Sequence, residues 1–179
     1  MILNQNPVVK LIKIQYLAID RYDIIKHILQ NVQSRKLSTM TNENYLKFPS
    51  VLREMVCNGE IIFPNNAYFV YEPILAYRGI QRERDDVSAI TRADFMSYAE
   101  KNIRRRCIDK KDPHYYGVSL FLNKASVENA LKFPRVDRKI AVGHVYSEAG
   151  PAEVNEATEH VCWWLYENVK IQGFEICQG

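Results

Sequence analysis

Beyond the Asn58-Gly59 turn signal, the chain is written in short aromatic and β-branched runs. "EIIF", "AYFVYE" and "ILAYRGI" follow one another with Pro64 and Pro73 between them, and they read as strands. "YGVSLFL" alternates, with Val118, Leu120 and Leu122 on one face and Gly117, Ser119 and Phe121 on the other. "KIAVGHV", "HVCWWLY" and "GFEI" add three more predicted strands. Two helices interrupt this β-rich region. Thr91 with Asp94 makes a capping box for a helix over "RADFMSYAEKNIRRRC", whose apolar face carries Phe95, Ala99 and Ile103. Asn123 caps a second helix over "KASVENALKF", with Val127, Ala130 and Leu131 inward.

The first third is different. Residues 8 to 17 could form a strand, but Ile24, Ile25, Ile28, Leu29 and Val32 recur at helical spacing after Asp20. "VLREMVC" after Ser50 reads as a short helix. The fold class is therefore α+β. A helical N-terminal third (1–58) precedes a strongly bent or split, mostly antiparallel β core (59–179), all within a single domain.

The chain has 179 residues, long enough to bury a core without metal or disulfide staples. Hydrophobic content of 47% with 25% charged residues excludes a globally disordered chain. Cys57, Cys107, Cys162 and Cys177 include no CxxC pair, which points to free thiols in a reducing compartment rather than a zinc knuckle. Pro7, Lys10 and Lys13 cut the apolar start, and no stretch reaches the roughly 18 apolar residues of a membrane span. A cytoplasmic protein without a membrane segment is expected.

Arg78 ends a predicted strand, and Gly79 follows it. An arginine fork suits a phosphate or carboxylate, and glycine admits close approach; the plain alternative is a strand-end charge facing water. Ser119 could bring a hydroxyl to a ligand or bond to nearby backbone. No GxSxG elbow surrounds it, and no Gly-rich phosphate loop follows a strand. Glu153, Glu156 and Glu159, with Glu167, are candidate acids, although three glutamates in seven residues also suit a solvated loop. His144 and His160 lie on or beside predicted strands and could meet, but no third ligand stands at metal spacing, so no metal is expected. Trp163 and Trp164 must face opposite ways, one in the core and the other able to stack on a ring. Lys101, Arg104, Arg105, Arg106, Lys110 and Lys111 make a local basic patch, either a solvated helix end or a nucleic-acid contact.

The order "AYRGI", "YGVSLFL", "KASVENALKF", "KIAVGHV" resembles that of the ADP-ribosyltransferases over roughly residues 70–176. The resemblance implies a split β core holding NAD in a cleft. It gives Arg78 and Gly79 to the cofactor phosphate, Ser119 to bracing the cleft, and Tyr77 or Phe121 to stacking on nicotinamide. Glu159 would bond the nicotinamide ribose hydroxyl and favour nicotinamide loss. The chain departs from the family pattern in having one hydroxyl in "GVSLF" and in the three-residue spacing of Glu156 and Glu159. The implied activity is transfer of ADP-ribose to a macromolecular target, as in a toxin or effector. The alternative is a non-enzymatic protein-binding factor of the antitoxin, immunity or phage-host kind.

Overall fold

The computed structural model describes residues 42–103 and 109–177, which fall within one compact unit, Met40–Gly179. The strand expected over 8–17, the helix after Asp20, Cys107 and Arg104 to Arg106 lie outside the described residues.

Among the described residues seven antiparallel strands form one sheet: β1 (Ala67–Tyr68), β2 (Ile74–Gln81), β3 (Val118–Phe121), β4 (Arg138–Val145), β5 (Ala152–Asn155), β6 (His160–Trp163) and β7 (Glu175–Ile176). Their order across the sheet is β1-β5-β6-β3-β2-β4-β7. With helices α1 (Ser50–Cys57) and α2 (Lys124–Leu131), the architecture is α+β. Strand alternation sorts the side chains into two cores. Ala76, Val118, Leu120, Val145, Val161 and Trp163 meet Phe95 on one side. Tyr115, Tyr116, Cys162 and Trp164 meet Phe48 and Leu52 on the other.

Several expectations are corrected. The capping box of Thr91 and Asp94 forms, but it opens only the one-turn 3₁₀ helix Arg92–Phe95. Met96 is extended, at φ −70° and ψ 137°, so the helical run ends there. Tertiary contacts explain the stop. Phe95 is fully enclosed, edge-on to Phe174 at 4.7 Å and to Trp163 at 6.2 Å. Past Phe95 the backbone is engaged elsewhere, the Met96 carbonyl accepting from Arg78 and the Ser97 N–H donating to the Glu100 carboxylate. Neither tryptophan is half exposed: Trp163 fills the first core and Trp164 the second. The Trp164 indole N–H donates to the Pro113 carbonyl at 2.8 Å, which meets the polar demand of a buried indole. "EIIF" forms no strand, whereas Ala152–Asn155 does.

α2 forms where its sequence predicts, but Ala130, expected inward, is exposed, and the helix ends at Leu131. Asn123 accepts from the Ser126 N–H at 2.8 Å, Val127 is buried, and Lys132 closes the helix in the left-handed region at φ 55°. A Cβ at Gly79 would overlap Leu131 Cδ1, so this glycine is what lets α2 lie close on β2.

Candidate functional site: a cationic wedge between two strands

β2 pairs with β4 over its whole length, from Ile74↔Val145 to Gln81↔Arg138. Its other edge meets β3 only at Tyr77↔Phe121. Past that pair the strands diverge. Gly79, Ile80 and Gln81 form one bank of a cleft of about 770 Å³, and Gly117 and Ser119 form the other. The rims are the chain after α2 and the segment around Ser97 to Lys101.

Arg78 spans the mouth of this divergence. Its Nη1 donates to the Ser119 carbonyl at 2.7 Å, its Nε to the Asp94 carbonyl at 2.9 Å and its Nη2 to the Met96 carbonyl at 3.4 Å. The guanidinium lies 5.3 Å from the Phe95 ring centroid. It is neither a charge in bulk water nor a bare anion clamp. Its bond to the Ser119 carbonyl takes the place of a missing ladder bond between β2 and β3, and its other two bonds tie β2 to the Asp94 and Met96 carbonyls of the segment that carries the 3₁₀ helix. Burial, opposed in part by Tyr98 and Asp94, lowers its pKa to about 10, still fully charged at neutral pH.

Among the described residues five cations line the cleft: Arg78, Lys101, Lys132, Arg135 and Arg138. Among the described residues the only acid in the lining is Asp94, and its carboxylate is held by Arg82 at 2.6 and 3.1 Å. Arg135 is neutralised by Asp137 at 2.9 and 3.1 Å. Arg138 Nε is buried and has no hydrogen-bond partner among the described residues. Burial first, and then the like charges of Arg78 and Arg138, push the Lys101 amine down. These charges crowd one another around a shared space.

Four of the sequence-derived site residues line this cleft: Arg78, Gly79, Ser119 and Phe121. Tyr77 and Glu159 do not. Tyr77 pairs on both sides within the sheet. Glu159 ends the β5–β6 turn at φ 54°, fully exposed, and its carboxylate accepts from the Ser126 hydroxyl at the start of α2. Hydrogen bonds from Ser126 and then Asn123 hold that carboxyl below its usual range. Lys110 and Lys111 are exposed in the turn before Pro113.

The sequence reading missed a contact behind the cleft. Ser119 Oγ lies 2.7 Å from His160 Nε2. The signal was present: antiparallel pairing of "YGVSLFL" with "HVCWWLY" sets Phe121 opposite His160 and Ser119 opposite Cys162, so serine and histidine share a face. His144 does not approach His160; it stands on β4, with β2 and β3 between, and its ring neighbour is Tyr146. Burial, then the charge of His114, lower the pKa of His160, with Glu153 opposing. Beyond it His114 bridges Asp112 and Glu153, at 2.7 Å each. Among the described residues no His/Cys/Asp/Glu group could hold a metal ion, and no helix is long and apolar enough to cross a membrane. Compared with protein-family models, curated proteins and solved structures, the chain matches none.

Proposed function

We propose that the wedge between β2 and β3 binds a phosphate-bearing nucleotide, NAD being the one that the resemblance to ADP-ribosyltransferases names. One observation carries this reading: among the described residues the cleft gathers five cations against a single, already paired acid, and Arg138 Nε is buried without an acceptor. An arginine nitrogen removed from water and left unbonded costs free energy, and a phosphate oxygen would recover it. Arg138 and Lys101 then do the work that the sequence assigned to Arg78, whose donors hold the strands. Phe121, half-buried in the lining, offers a ring for base stacking.

Transfer of ADP-ribose needs more, namely a carboxylate beside the glycosidic bond. Glu159 is engaged with Ser126 outside the lining, so the geometry favours nucleotide binding over the complete reaction.

Thermal unfolding tests the reading, since a ligand that binds only the native state raises the melting temperature. NAD and ADP-ribose should each raise it, inorganic phosphate less, and Arg138→Gln with Lys101→Gln should abolish the rise. Absence of any shift at about a hundred times a micromolar Kd, where stabilisation reaches ~2.7 kcal/mol, sinks the proposal.

A further inference from the structure

The pair behind the cleft has a chemistry that the binding reading does not use. Ser119 lines the cleft, and its Oγ is already within hydrogen-bond reach of an imidazole nitrogen at 2.7 Å. That distance is the geometric requirement for a nucleophile and its base. Phe121 stands edge-on to the His160 ring at 5.4 Å and 82°, which limits the ring's rotation. Arg78 holds the carbonyl of Ser119 itself at 2.7 Å, so the nucleophile sits on a pinned stretch of backbone. The groups that repel or attract charge at His160 are His114 and Glu153 across the sheet, and Cys162 shares its strand and face. Burial keeps the ring neutral near pH 7, so Nε2 can accept a proton when Nδ1 carries the ring hydrogen.

We propose that Ser119 is a nucleophile with His160 as its general base, and that it accepts a phosphoryl group from an anionic phosphoester or acyl phosphate seated in the wedge. In that step the Ser119 hydroxyl proton passes to His160 Nε2 while Oγ forms a bond to phosphorus. The phosphorus–oxygen bond to the leaving group breaks, its electron pair stays on the leaving oxygen, and His160 returns the proton there. The products are a phosphoserine and the released alcohol or acid. Lys101 and Arg138, on the same cleft, balance the charge of the transferring group. The proposal rests on the anion-binding reading of the wedge and adds a covalent activity to it.

Acetyl phosphate is the probe, with peptide mass spectrometry as the readout. The expected result is a phosphoryl adduct on Ser119 in the full chain and none in Ser119→Ala. His160→Gln should slow adduct formation by about a hundredfold or more, the usual contribution of a general base. Independently of any variant's folding, the wild-type rate should rise with pH as His160 loses its proton. An unmodified Ser119, or a rate unchanged by both His160→Gln and pH, overturns the proposal. The melting shift given by NAD separates the two readings: if NAD still stabilises the protein while Ser119 stays unmodified, the binding reading stands and this one falls.

Discussion

Along one edge β2 is tied to β4 by eight registered residue pairs, while along the other it meets β3 at Tyr77↔Phe121 alone. On the first edge the backbone makes the joint, through a regular antiparallel ladder. On the second the joint passes to a side chain, the Arg78 guanidinium reaching carbonyls of Ser119, Asp94 and Met96. A ladder leaves no room between strands. A side-chain brace holds strands apart at a fixed spacing and leaves the cleft beside it. The difference explains why the cationic lining gathers where it does: it occupies the interval from which regular pairing is missing.

Removing the brace should have the largest effect. Arg78→Met takes away three charge-assisted hydrogen bonds and leaves enclosed carbonyls unsatisfied. A loss of about 3 kcal/mol in urea unfolding is expected. Arg78→Lys, which keeps the charge without the planar fork, should recover less than half. A loss below about 0.5 kcal/mol for Arg78→Met would show that the two edges of β2 are joined alike after all.

The same contrast marks what could be read in the sequence. Local signals were legible. The alternation of "YGVSLFL" gave β3, with Val118 and Leu120 buried as its pattern requires. Asn123 and the apolar spacing gave α2, and "KIAVGHV" gave β4. Arg78, Gly79, Ser119 and Phe121 stood out as residues of one region, and all four line the cleft. The cleft's charge was not legible, because Arg78, Lys101 and the run Lys132, Arg135 and Arg138 come from three stretches of the chain that only the fold brings together. The strand Ala152–Asn155 escaped because "AEVN" is four residues long and has a single β-branched side chain. The long helix after Thr91 failed for a tertiary reason: good helical spacing lost to the burial of Phe95 and to the side-chain bonds at the Met96 carbonyl and the Ser97 N–H.

Two glycines, Gly79 on β2 and Gly143 on β4, sharpen the comparison further. At Gly143 on β4 a Cβ would sit 2.6 Å from the Gly173 carbonyl oxygen and 2.8 Å from Phe174 Cα, backbone that cannot step aside alone. At Gly79 the obstacle is the end of the Leu131 side chain, which can rotate. Gly143→Ala should therefore cost about 2–3 kcal/mol and Gly79→Ala about 1 kcal/mol, both read by urea unfolding. Equal costs would mean that the chain around Gly173 yields as freely as a leucine tip.

The smallest effect lies at the far end of the β3 side, where His114 stands between Asp112 and Glu153. Burial alone would lower its pKa, but the hydrogen bonds to Asp112 and Glu153 outweigh that and raise it. A histidine whose folded pKa is raised stabilises the fold fully below its unfolded value, near 6.5, and loses that contribution as pH rises through the folded value. His160 acts in the opposite sense: its lowered pKa weakens the fold as pH falls. The two partly cancel in the wild type, so the His114 contribution has to be isolated as the difference between wild type and His114→Gln. Because His114 is close to half exposed, solvent screens the pair, and the difference should stay under about 1 kcal/mol. It should be larger at about pH 5.5 than at about pH 8. A difference that grows with pH instead would place the charge of His114 on the destabilising side. The β3 flank of the sheet would then be held by its apolar core and the Arg78 brace, without help from this bridge.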